Sequence, residues 1–127
     1  MTAIAYAHRF LSSLGFTLVV ETAVLFLLLR LVFKRSDLST TKIIFAGALS
    51  SAATVPYVWF VFPYLTEWSR NTSLFVSEPL VFVVEALLYR AILKTNLRTS
   101  FLASLVCNLS SFVLGPLLRA YGIWIYW

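Results

Sequence analysis

The chain is poor in the residues that most often carry chemistry. It has one cysteine, Cys107, one histidine, His8, and five acidic side chains among 127 residues. A single cysteine excludes an internal disulfide and any cysteine metal cluster. Cys107 lies within an apolar run and reads as a small packing residue. His8 precedes the first apolar run and reads as interfacial rather than catalytic. No nucleophile–base pair and no metal-ligand set is visible, so neither an enzyme nor a cofactor is expected, and any bound metal is unknown. Charge of either sign is also scarce, 12% against 61% hydrophobic residues. Soluble domains carry about 25% charged and 45–50% apolar residues, and small domains bury the smallest share of their surface. The expected solvent is therefore a lipid bilayer.

Ten Lys and Arg against five Asp and Glu leave a net charge of +5. The basic residues flank hydrophobic runs, so they point to membrane anchoring and orientation and not to nucleic acid. The N-terminus does not read as a cleaved signal peptide. Only His8 and Arg9 precede the first apolar run, that run is too long for an h-region, and Arg30 and Lys34 follow it. It is expected to be retained as a helix.

Crossing the hydrocarbon layer takes about 20 apolar residues. Four stretches meet that length, at about 10–33, 43–65, 74–93 and 99–118, separated by polar loops at 34–42, 66–73 and 94–98. The runs lack the alternation of a barrel strand, and backbone in lipid must satisfy itself, so the expected fold class is all-α. The chain reads as a single polytopic transmembrane domain of four helices.

Sliding the sequence by sixty positions aligns Leu27, Leu28, Arg30 and Lys34 with Leu87, Leu88, Arg90 and Lys94. The same offset aligns Leu49-Ser50-Ser51 with Leu109-Ser110-Ser111 and Pro56 with Pro116. The pattern predicts two tandem helical hairpins, at about 10–65 and 74–120, related as a parallel repeat. Residues 121–127 form an expected interfacial tail. Arg30, Lys34, Arg35, Lys42, Arg90, Lys94 and Arg98 fall on one side, and Arg9, Arg70 and Arg119 on the other. The first side is expected to be cytoplasmic, which places both termini outside a multi-pass cell-membrane protein. All four tryptophans, Trp59, Trp68, Trp124 and Trp127, fall on the outer half as an expected interfacial belt. Asn71-Thr72-Ser73 matches a glycosylation acceptor but abuts a helix.

Three glutamates interrupt the apolar runs. Glu21 and Glu85 sit midway along the first and third helices, and Glu78 lies seven residues before Glu85, on the same face. A carboxylate at the bilayer centre costs at least about 2.5–3.5 kcal/mol and marks function by default. Glu78 precedes Pro79, where the expected start of the third helix gives a carboxylate a favourable dipole. Facing helices supply Gly47, Ser50, Ser51 and Thr54 on one side and Ser104, Asn108, Ser111 and Gly115 on the other. Close helix packing explains the small residues, but an amide at mid-span needs partners. Pro56 frees a carbonyl near Ala52 and can kink the second helix. Glu21, Glu85, Asn108, Ser50, Ser51 and Thr54 thus form the candidate site, with Glu78, Arg30 and Arg90 secondary. Oxygen ligands without thiolate or core histidine favour a proton or hard cation. Arg30 and Arg90 lie near the inner boundary, where snorkelling is the default.

Four helices with a glutamate in the first are similar in outline to small multidrug-resistance transporters. That likeness rests on Glu21 alone, and Val20-Glu21 departs from their Ala-Glu context. Glu85 with Arg90 is similar to the glutamate–arginine motif of CAAX-type intramembrane proteases, but the second adjacent glutamate and the later histidines are absent. Neither resemblance assigns a family. The sequence leaves two functions nearly level: a small proton- or cation-coupled transporter working as a homo-oligomer, and a structural subunit of a larger membrane complex.

Overall fold

A computed structural model describes residues 2–67 and 69–123. Four long helices carry the fold: α1 Ala3–Val32, α2 Thr40–Thr66, α3 Arg70–Leu93 and α4 Leu97–Ala120. No strand occurs among the described residues. Each helix opens on a side chain that accepts a hydrogen bond from an otherwise unpaired backbone N–H. Thr2 accepts from Ala5, Ser39 from Lys42, Ser69 from Thr72 and Asn96 from Thr99. Left-handed residues turn the chain after three of them: Lys34, Glu67 and Lys94, with φ of 51°, 51° and 53°.

These caps move the boundaries expected from hydropathy. Helix α1 begins at Ala3 and not near Phe10, because Thr2 caps it and the aromatic residues Tyr6 and Phe10 pack on α2. Helix α3 begins at Arg70 and not near Leu74, because Ser69 is its cap. Glu78 and Pro79 consequently lie two turns inside α3, away from the helix start, and the dipole argument for Glu78 fails.

Packing is cyclic. Helix α1 lies against α2 and α4, and α3 lies against the same two, so α1 and α3 face each other across the bundle. One end carries the 33–39 and 94–96 turns, and the other carries Thr2, Glu67, Ser69 and residues 121–123. We call these the turn end and the terminal end.

Three of the helices, α1, α2 and α4, are long and apolar enough to cross a membrane. Helix α3 has the same length as α4, 24 residues, but it holds Arg70, Glu78, Glu85 and Arg90. Side-chain placement inverts that of a soluble bundle. Val19, Leu31, Phe45, Phe60, Phe75, Leu80, Leu87, Leu109 and Val113 are exposed, while Ser13, Thr17, Glu21, Ser50, Ser51, Thr54, Glu85, Ser104, Asn108 and Ser111 are buried. An apolar outer surface around a polar interior is stable only where the surroundings are apolar. The structure thereby agrees with a membrane setting.

Two π-helical turns interrupt the ladder, at Leu28–Val32 in α1 and Tyr57–Val61 in α2. The second follows Pro56, which has no N–H to give and whose ring crowds the preceding turn. Helix α2 continues through it as a single element. Trp59 sits on this turn and is buried inside the bundle, 8% exposed, instead of joining an interfacial belt. Trp68, Trp124 and Trp127, together with the 124–127 part of the expected tail, lie outside the described residues.

Candidate functional site

The buried stripe of α1 runs Ser13, Thr17, Glu21, Leu25, Leu29, one residue per turn. It is polar toward the terminal end and apolar toward the turn end. The same division recurs on α2 and α3, whereas the buried face of α4 keeps Ser100 and Ser104 on the turn side as well. Leu25, Leu29, Ile43, Ala46, Tyr89, Leu93, Ala103 and Cys107 form a closed apolar cluster on the turn side. Above it lie the glutamates.

Glu21 and Glu85 project from the two helices that face each other, and both are fully buried, 1% and 0% exposed. Each is held by both intervening helices. Ser51 of α2 donates to Glu21 Oε2 at 2.8 Å, and Ser111 of α4 donates to Glu21 Oε1 at 2.7 Å. Thr54 of α2 donates to Glu85 Oε1 at 2.6 Å, and Asn108 Nδ2 of α4 donates to Glu85 Oε2 at 2.7 Å. Asn108 is fixed in turn by Ser104, whose carbonyl accepts from the same Nδ2 at 2.9 Å. The backbone carbonyl of Glu21 accepts from the Cys107 thiol at 3.5 Å, tying α4 to α1 at this level. Gly47 permits the approach of α1 to α2, because a Cβ there would lie 3.0 Å from Thr22 Cα and 2.8 Å from its Oγ1.

The donors are all neutral. Among the described residues neither glutamate has an ion-pair partner; the one ion pair, Arg35 with Asp37, lies in the turn at 2.9 Å. There the Arg35 hydrogen bond holds the Asp37 carboxyl down to about 2.

Two of the hydroxyl donors have a second acceptor. Thr54 Oγ1 also lies 2.9 Å from the Ser50 carbonyl, and Ser111 Oγ lies 3.1 Å from the Asn108 carbonyl. A hydroxyl has one proton and two lone pairs. When the glutamate is ionised, the hydroxyl proton points to the carboxylate. When it is protonated, the carboxylic acid donates to the hydroxyl oxygen, and the hydroxyl proton turns to the helix carbonyl. Both protonation states therefore leave the two carboxyl groups and the Thr54 and Ser111 hydroxyls paired, which is the condition for moving between them at low cost.

A cavity of about 50 Å³ adjoins the two acids and is lined by Ser13, Thr17, Glu21, Thr54, Trp59, Leu74, Glu78, Glu85, Asn108 and Ser111 among others. From Ser13 to Glu21 the lining covers about 12 Å along α1. A volume of this size holds a few waters, each of which needs about 10–15 Å³ and polar partners. Glu78 is half-buried on this wall, and its side chain makes no hydrogen bond among the described residues. The aromatic set Tyr6, Phe10, Trp59 and Phe60 packs edge to face at the terminal end, and Tyr6 donates to the Trp59 carbonyl.

The structure thus brings together Glu21, Glu85, Asn108, Ser51 and Thr54. Ser50 is adjacent but its Oγ is buried without a partner, and only its carbonyl enters the network. Arg30 and Arg90 are at the turn end. Arg30 donates to the Arg35 carbonyl at 2.7 Å, bracing the 33–39 turn, and Arg90 is exposed. Sequence reasoning left Ser111 among the packing residues and missed Ser13 and Thr17. The four-residue spacing that links Ser13 and Thr17 to Glu21 is the signal that would have found them. No three His, Cys, Asp or Glu side chains among the described residues gather to hold a metal ion. Set against protein-family models, curated proteins and solved structures, the chain finds no match.

Proposed function

We propose that this chain is a small multi-pass membrane protein that moves protons, or exchanges a proton for a small hard cation, through the Glu21–Glu85 site. The observation that carries the reading is the dual hydrogen bonding of Thr54 and Ser111, which lets each buried glutamate be satisfied with or without its proton. Helix α3 would be the fourth span. Its 24 residues extend about 36 Å, longer than the hydrocarbon layer, and Glu85 faces inward. The basic turn end would be cytoplasmic and the termini outside. The apolar cluster under the glutamates closes the turn side, so passage requires an alternating motion of helices, and four helices enclose so little volume that a homodimer is the working unit. The repeat reading is supported by Lys34 and Lys94, sixty positions apart and both left-handed at equivalent turns. Such repeats commonly hold a site at their interface.

One observation favours a second reading, a structural subunit of a larger membrane complex. All four glutamate oxygens are already bonded by protein donors, as expected of interhelical glue.

Proteoliposomes loaded with a pH-sensitive dye separate the two. Under the transport reading, an imposed proton or cation gradient collapses through wild type and through Ser50→Ala. It persists with Glu21→Gln and Glu85→Gln. Equal flux through the glutamate variants and wild type, or none through any of them, favours the structural subunit.

A further inference from the structure

A second concavity lies on the outside of the bundle, between α1 and α2, and the proton site does not use it. It measures about 610 Å³, and Val19, Ala23 and Phe26 of α1 and Thr40, Ile44 and Ala48 of α2 are among the residues that line it. The walls are apolar apart from threonines, and the floor is where Gly47 lets the helices touch at Thr22. Along α1 the lining runs from Leu18 to Leu27, about 13 Å at 1.5 Å per residue. That is close to one leaflet, half of a hydrocarbon layer of about 30 Å.

The turn end of this groove is positively charged. Two independent contacts place the Arg30 guanidinium there: its Nη2 donates to Thr40 Oγ1 at 3.3 Å, and its Cζ lies 5.5 Å from the centroid of the Phe26 ring. Thr40 and Phe26 are both groove residues. Arg30 uses Nη1 and Nη2 for one hydrogen bond each, and a guanidinium has five N–H donors. The acid of the neighbouring turn, Asp37, gives both carboxylate oxygens to Arg35 and feels Arg30 only as a distant charge, without a hydrogen bond or ion pair to it.

We propose that the α1–α2 groove is a binding site for an anionic phospholipid, with an acyl chain along the groove and the phosphate on Arg30. An apolar slot one leaflet deep ending at a guanidinium with free donors matches a lipid of that charge. A packed helix from a second copy would place its own backbone against the apolar slot and leave the cation unanswered. Basic sites between helices at the cytoplasmic side are suited to such head groups. The inference rests on the membrane setting and is independent of proton movement.

The test uses the full-length protein in neutral-detergent micelles. Lipid adducts are counted by native mass spectrometry during titration with phosphatidylglycerol or with phosphatidylcholine of the same chains. Glycerol phosphate is the arm for a free phosphate. Phosphatidylglycerol is expected to bind about fivefold to tenfold more tightly than phosphatidylcholine, the contribution of one basic group. Ala23→Phe, which fills the exposed groove without touching the turn, and Arg30→Gln should each abolish that preference, and Glu85→Gln should retain it. Equal binding of the two lipids overturns the proposal, as does a preference that survives Ala23→Phe. Binding of glycerol phosphate as tight as that of the lipid would reduce the site to an anion site. Dissociation of a dimer by Ala23→Phe would assign the groove to a second copy.

Discussion

The two halves of this bundle are built from the same four helices and differ in what they bury. Toward the turns the interior is mainly apolar, centred on Leu25, Leu29, Tyr89 and Cys107, with the mutually bonded hydroxyls of Thr95 and Ser100 at its edge. Toward the termini it is lined with hydroxyls, an amide and carboxylates around a water-sized cavity. The change happens within one turn of α1, between Glu21 and Leu25, and within one turn of α3, between Glu85 and Tyr89. In lipid, apolar side chains gain little from facing each other, so the closed half is held by packing, and the polar half by hydrogen bonds worth about 1 kcal/mol each. Packing and the proposed proton site are thereby separated along the bundle axis. Substitutions in the closed half should change folding without changing ligand response, and those in the polar half should remove the ligand response at a smaller cost in stability.

The largest effect is expected where the two halves share a helix contact. Gly47→Val drives a side chain into the Thr22 backbone, which cannot rotate away as a flexible side chain would. It should cost about 3 kcal/mol, the upper range for overpacking, read as reversible unfolding in mixed micelles. Leu25→Ala in the closed half opens a hole against Ile43 and Cys107. Because lipid is a good solvent for leucine in the unfolded reference, the loss should fall near the lower end of the soluble range, about 2 kcal/mol. Its ion response should match wild type. Asn108→Leu keeps the helix but leaves Glu85 Oε2 without its donor. A loss of about 1 kcal/mol is expected, together with loss of proton flux. If Leu25→Ala abolishes flux while Asn108→Leu preserves it, the division between the halves is wrong.

The smallest effect belongs to the exposed turn. Arg35 holds Asp37 ionised with a depressed pKa of about 2. A depressed acid contributes stability that is present above its unfolded value and lost as pH falls through about 2. Between about pH 6 and 9 the pair is constant, and because it is solvent-exposed Asp37→Asn should leave the melting temperature unchanged there.

Much of this organisation was legible in the sequence. Apolar runs of spanning length marked the helices, and the rarity of acids within them marked Glu21 and Glu85. Helical spacing put Ser51, Thr54 and Asn108 on facing surfaces, where the structure places them. Which donor meets which acid was not legible. Ser51 and Ser111 stand sixty positions apart, yet both bond Glu21, because lateral pairing depends on the rotation of whole helices and not on spacing within one. The starts of α1 and α3 were missed because hydropathy falls off before the caps Thr2 and Ser69 end the helical ladder. The π turn after Pro56 was anticipated only as a kink. Its outcome, turning Trp59 inward, depends on the aromatic contacts with Tyr6 and Phe10 from a distant part of the chain.

The most direct test of the polar half is the melting temperature of the purified protein across pH and a series of alkali and alkaline-earth cations, for wild type, Glu21→Gln and Glu85→Gln. A ligand bound only by the folded state at a hundred times its dissociation constant adds about 2.7 kcal/mol to stability. The account predicts a pH- or cation-dependent rise in wild type that both variants lose while remaining folded. An identical response in all three proteins would contradict it and leave the two glutamates as parts of the scaffold.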